Sequence, residues 1–174
     1  MYQAVSVGTA ERAEAVAFDP FFREWFPRLV SLGTTMTGRG DVARDVAQEA
    51  LLRAHRHWDE VGAYTAPGAW VRKVAVNLLL DHLRSAGRER SAVARLGSRA
   101  AVPTGEPALD RWTELVAGLP DAQRAIVTLY YADDQPVEVI ADVLGIAPGT
   151  VKAQLFKARG RLRAQLADHQ EGER

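Results

Sequence analysis

The chain has 174 residues, 47% of them hydrophobic, and its 22 basic side chains are matched by 22 acidic ones. That length and composition support one or two small cored domains and exclude a disordered chain. The absence of cysteine excludes disulfides, thiolate metal sites and Cys nucleophiles, and a net charge of zero argues against a uniformly basic nucleic-acid coat. The N-terminus shows no basic n-region followed by an apolar core, so no signal peptide is expected. The apolar runs are too short to span a bilayer. The expectation is a soluble, cytoplasmic chain with no membrane insertion. Charge is nonetheless segregated. Arg84, Arg88, Arg90, Arg95 and Arg99 cluster, and acids gather at Asp41, Asp45, Glu49, Asp59 and Glu60.

Residues 1–17 read as a weakly specified tail. From Pro20, the residues Phe22, Trp25, Phe26, Leu29, Gly33 and Met36 form a helical stripe that ends at Thr37–Gly38. A second helix starts near Asp41 and buries Ala43, Val46, Ala47, Ala50, Leu51, Ala54 and Trp58. Its other face carries Asp45, Gln48, Glu49, Leu52, Arg53 and Arg56. Leu52 among polar groups suits either a partner surface or a plain solvated face. His55 and His57, two apart, point in different directions and make no metal site alone. Tyr64 to Gly68 is a loop. The helix from about Ala69 to Ser85 turns Val71, Val74, Ala75 and Leu78 inward. Trp70, Lys73, Asn77 and Arg84 fall near a common outer face, with Arg72 beside it. An aromatic, an amide and basic groups suit bases and phosphates; spacing alone slightly favours a Trp capping the core with a solvated basic face.

Periodicity fades after Ala86, and residues 87–107 read as a flexible linker. The expected domains are therefore 18–86 and 108–174. In the second, Leu109, Trp112, Leu115 and Val116 form a short helix. Pro120 and Asp121 open another, with Ala122, Ala125, Ile126, Leu129 and Tyr130 inward. The stretch Gln135 to Arg163 has the form of a helix-turn-helix. Val137, Ile140, Ala141 and Leu144 recur at helical spacing, Gly145 turns the chain, and Pro148 opens the next helix. There Val151, Leu155, Ala158 and Leu162 face the core. Thr150, Ala153, Gln154, Lys157 and Arg161 lie opposite, with Lys152, Arg159 and Arg163 on the flanks. A helix apolar on one side and basic on the other, after a tight turn, suits the DNA major groove. The fold expected is all-α.

These motifs resemble, in order, those of compact two-domain bacterial RNA polymerase sigma factors of the extracytoplasmic-function (ECF) type. RDVAQEALLRAHRHW resembles the segment that grips the clamp helices of the polymerase largest subunit. PGAWVRKVAVNLLLDHLR resembles the segment that melts and reads the minus-ten edge of the bubble. LPDAQRAIVTLYYADDQPVEVIADVLGIAPGTVKAQLFKARGRL resembles the domain that reads the minus-thirty-five element.

The resemblance implies core-polymerase contacts at Asp45, Gln48, Glu49, Leu52 and Arg53. It implies minus-ten contacts at Tyr64, Trp70, Lys73, Asn77 and Arg84, the loop at Tyr64–Gly68 holding a flipped-out base. Thr150, Lys152, Gln154, Lys157 and Arg161 would serve the minus-thirty-five element. The implied partners are polymerase core, including the flap of its second-largest subunit, and promoter DNA. An anti-sigma protein stays open as a further partner. No catalysis, cofactor or metal is implied. Relatives often carry Ser-Arg where this chain has Ala153–Gln154; Gln favours adenine where Arg favours guanine, so upstream preference does not transfer. Arg44 and Val139 also stand where relatives often carry acids. Two rival readings are a stand-alone helix-turn-helix regulator and a metal-dependent hydrolase using Asp81, His82, His55 and His57.

Overall fold

The computed structural model describes residues 17–93 and 107–172; the expected tail over 1–16 and most of the expected linker, 94–106, lie outside the described residues. Helix α1, Phe18–Thr37, packs on α2, Gly40–Arg56. The two approach closely because small residues line the seam: Ala43, Ala47, Ala50 and Ala54 are wholly buried. A Cβ added to Gly33 would lie 2.8 Å from the Ala43 Cβ. Gly38 ends α1 in the left-handed region, and its N–H donates to the Thr34 carbonyl. The helix runs through the exposed Pro27.

Of the expected α1 stripe, Leu29, Gly33 and Met36 are buried and Trp25 and Phe26 are half-buried against the core, but Phe22 is exposed and Phe21 takes its place. Phe21 is buried, 4.8 Å from Trp58 and 5.9 Å from Trp25, whereas Phe22 stacks on Phe26 at the surface. Trp58 lies not on α2 but at the start of a four-residue helix, α3, Trp58–Val61. Helix α4, Pro67–Val93, runs past the point where periodicity fades. It buries more than one stripe. Val71 and Ala75 face the first half, while Val76, Leu79, Leu80 and Leu83 are also buried. Val74 and Leu78, expected to point inward, are half-buried.

The second half starts with α5, Pro107–Ala117, and α6, Asp121–Val127. On α6, Ala122 is exposed, and Gln123 and Arg124 are buried instead. The Arg124 guanidinium donates to the carbonyls of Val116, Ala117 and Leu119, satisfying the end of α5, which explains why a charged residue occupies the core. A π-helical turn, Thr128–Ala132, prolongs α6. Asp134, at φ 49°, then reverses the chain into α7, Val137–Leu144. Helix α8, Pro148–Gly172, follows at 104° to α7, within the range of a helix-turn-helix. Gly145, at φ 65°, makes the turn, and the Ile146 N–H donates to the Ala141 carbonyl. Ile140, Val151 and Leu155 are nearly fully buried, each contributing about 1.5–3 kcal/mol of apolar burial. Among the described residues there is no strand. The halves are packed together: one apolar cluster joins Leu32, Met36, Val76, Leu80 and Leu83 to Val116, Leu119, Ile126, Leu129 and Ile140.

Candidate functional site

Three faces carry the residues singled out by the sequence. The outer side of α2 follows from its alanine stripe: with one side sealed against α1, Asp45, Gln48, Leu52 and Arg53 are exposed and Glu49 is half-buried. Leu52 is 43% exposed and shares a groove with Phe18, Phe22 and His55, rimmed by Asp45 and Glu49. Glu49 is not free on this face, since Arg53 Nε donates to it at 2.8 Å. His55 lies edge-on to the Phe18 ring, 4.6 Å away. Among the described residues no group of three or more His, Cys, Asp or Glu side chains could hold a metal.

The second face is on α4 and the loop before it. Asn77 is exposed, and Trp70 is half-buried against the first-half core. The Tyr64 hydroxyl donates to Glu60 at 2.7 Å, and that bond raises its pKa. Arg84 pairs with Asp81 at 3.0 Å. Lys73 is engaged by the other half of the chain, with Nζ 3.3 Å from the Asp142 carboxylate of α7. Next to it, Arg72 Nε lies 2.9 Å from Asp133 Oδ2, off the N–H direction, and its guanidinium sits 5.2 Å from the Trp25 ring centre. The π turn presents Asp133 here, a placement that no sequence signal announced.

Burial pushes the Asp133 carboxyl up by more than the Arg72 and Arg28 charges pull it down. The folded chain therefore holds that proton more tightly than the unfolded chain. Ionised Asp133 subtracts stability above the raised value, and the loss disappears as pH falls through it. The Tm of the parent relative to Asp133→Asn is expected to fall as pH rises through that window. A pH-independent difference in thermal melts would refute this.

The third face is on α8. Thr150, Lys152, Lys157 and Arg161 are exposed, whereas Gln154 is half-buried. Gln123 donates to Gln154 Oε1 at 2.8 Å and accepts from Arg161, so one buried amide orients two of the expected DNA residues. Arg159 turns away to donate to the Tyr131 hydroxyl at 2.6 Å. The sequence reading missed Phe156, which is 78% exposed. The signal was there: its neighbours one turn away are Lys152, Arg159 and Gly160, so no core stripe accounts for it.

The ECF RNA polymerase sigma factor SigL of Mycobacterium tuberculosis is 34% identical to the chain over 170 residues, covering 93% of this chain and 96% of that one. The chain belongs to the ECF RNA polymerase sigma factors. A Sigma-70 region 2 family matches residues 21–89 of this sigma factor, and a Sigma-70 region 4 family matches 109–162. SigM of the same organism is 32% identical over 150 residues, covering 84% of this chain and 75% of that one. Among solved structures, the sigma factor RpoE in complex with the anti-sigma factor NepR from Bartonella quintana shares the fold. The TM-score is 0.66 at 24% identity, covering 86% of this chain and 96% of that one. The sigma factor thus has two small helical domains joined by a linker, and it directs RNA polymerase to promoters. A stand-alone regulator is not favoured, because the region 2 match occupies the half that such a regulator leaves unexplained. No single helix among the described residues is long and apolar enough to cross a membrane.

Proposed function

We propose that the ECF sigma factor docks on the clamp helices of the polymerase largest subunit through Asp45, Gln48, Glu49, Leu52 and Arg53. The flap of the second-largest subunit takes the second domain. The minus-ten element is read by Tyr64, Trp70, Lys73, Asn77 and Arg84. The minus-thirty-five element is read by Thr150, Lys152, Gln154, Lys157 and Arg161, with Phe156 beside them. The observation that carries this reading is that the outer sides of α2 and α8 present these groups opposite fully sealed apolar stripes. The factor performs no bond chemistry. It binds unpaired bases better than duplex, and that difference in affinity shifts the opening equilibrium. An anti-sigma partner fits the same reading, since the RpoE neighbour is in complex with the anti-sigma factor NepR, and a further solved structure that shares the fold is CnrH in complex with the cytosolic domain of CnrY.

Run-off transcription with purified core polymerase over a genomic promoter pool tests the assignment. Specific starts that need the factor are expected, and none would overturn it. In the same assay, Gln154→Arg is expected to shift upstream preference from adenine toward guanine, by about 1–3 kcal/mol at the contacted position. The Gln123 bond supports this, because it aims the Gln154 amide. An unchanged preference in the promoter library would remove Gln154 from the readout.

A further inference from the structure

We propose that Gln123, itself buried away from DNA, decides which base edge Gln154 reads, because it fixes which end of the Gln154 amide faces outward. This rests on the minus-thirty-five reading above and deepens it.

Three side chains form a relay with one polarity. Gln154 and Arg161 stand seven residues apart, two turns along one side of α8. Gln123 of α6 is 5% exposed and bonds to both. A guanidinium carries donors and no acceptor, so the Gln123 oxygen has to face Arg161. The Gln123 nitrogen is then left for Gln154 and, being a donor, requires the Gln154 oxygen, 2.8 Å away. Each amide is set by the group before it, and the order starts from a group that cannot be reversed.

Burial gives the relay its force. A surface amide exchanges its partner for water at little cost, whereas a buried donor left unpaired loses its full solvation. Turning Gln154 over would set two N–H groups face to face and strand the Gln123 nitrogen in the interior.

What remains outward is a donor. Gln154 Nε2 has no partner within the protein among the described residues, and Oε1 keeps one lone pair. A donor suits guanine N7 and O6, adenine N7 and thymine O4. Cytosine presents an amino group in the major groove, and two donors do not pair. Adenine can also place its N6 amino group on the second Oε1 lone pair. The relay therefore puts cytosine last at the contacted base. An unheld glutamine could turn over and take cytosine as readily, so the order comes from α6 and not from α8 alone.

Gln123→Glu tests this, because a carboxylate only accepts. It keeps the side chain's size and the bond from Arg161, but it requires the Gln154 nitrogen to face inward and its oxygen to face DNA. Run-off transcription with purified core polymerase over promoters randomised in the upstream element reads the outcome. The position to read is the one where Gln154→Ala levels the bases. There the parent is expected to use guanine and thymine about fivefold or more better than cytosine. Gln123→Glu should reverse that order by a similar factor, while adenine, which offers both a donor and an acceptor, stays in use. In a Gln154→Ala background the same change should move nothing at that position, a result that a merely structural role for Gln123 does not require. Gln123→Met removes both bonds without adding charge and should bring cytosine level with guanine and thymine; it keeps the test open if thermal melts show the Glu variant unfolded. A folded Gln123 variant that keeps the parent's order overturns the proposal and leaves the reading of Gln154 standing. If Gln154→Ala levels no position, that reading falls and the proposal with it.

Discussion

Gly68→Ala is expected to lower the Tm by roughly 2–12 °C, from about 1–3 kcal/mol of overpacking at about 2–4 °C per kcal/mol for a chain of this length. The added Cβ would fall 1.8 Å from Cζ2 of Trp25, so the indole must leave. It cannot swing away freely, because it stacks on Phe21 at 5.9 Å and carries the Arg28 and Arg72 guanidiniums at 5.4 and 5.2 Å. Displacing it unseats Arg72 and with it the contact to Asp133. Gly87→Ala, on the same helix with nothing within 4 Å of the new carbon, should instead stabilise by about 0.5–1 kcal/mol through helix propensity. The two melts are expected to move in opposite directions. Equal shifts would show that the approach of α4 to Trp25 does not constrain the fold.

The helices were legible where one stripe faced one core. Ala43, Ala47, Ala50 and Ala54 on α2, and Val151, Leu155 and Ala158 on α8, sit where their spacing puts them. The outward position of Thr150, Lys152, Lys157 and Arg161 on α8, residues proposed to meet DNA, was legible for the same reason, as the complement of a clean stripe, whereas Gln154 is half-buried. Helix α4 was harder. Its two apolar stripes blur into each other, and which one meets a partner depends on packing from residues far along the chain, so Val76, Leu80 and Leu83 gave no separate signal. The partners of Lys73 and Arg72 were hidden for a related reason. Asp142 reaches α4 only because the halves are docked, and Asp133 only because a π turn ends α6. The buried Arg124 and Gln123 look like surface residues in sequence. Their burial follows from unpaired carbonyls at the end of α5 and from the amide that aims Gln154.

On α2 the charged and apolar parts of the proposed polymerase contact should separate by their response to salt. Asp45→Ala with Glu49→Ala removes two exposed-face carboxylates, one of which is already shared with Arg53. The expected loss is about tenfold in core-polymerase affinity at low ionic strength, about 1.4 kcal/mol. It should act mainly on the association rate and shrink as screening grows. Leu52→Ala removes an aliphatic side chain that is 43% exposed in the free chain and stands beside Phe18 and Phe22. If that groove seats an apolar anchor from the clamp helices, truncation should cost about 2 kcal/mol, roughly thirtyfold, and appear as faster dissociation. Burial of apolar area is not screened, so this loss should persist at high salt. None of these side chains supports the core, so the melts should stay within about 0.5 kcal/mol of the parent. Surface-captured polymerase, titrated with each variant across ionic strength, reads both parts. If Leu52→Ala is silent while the double variant keeps its loss at high salt, the groove is not the docking surface.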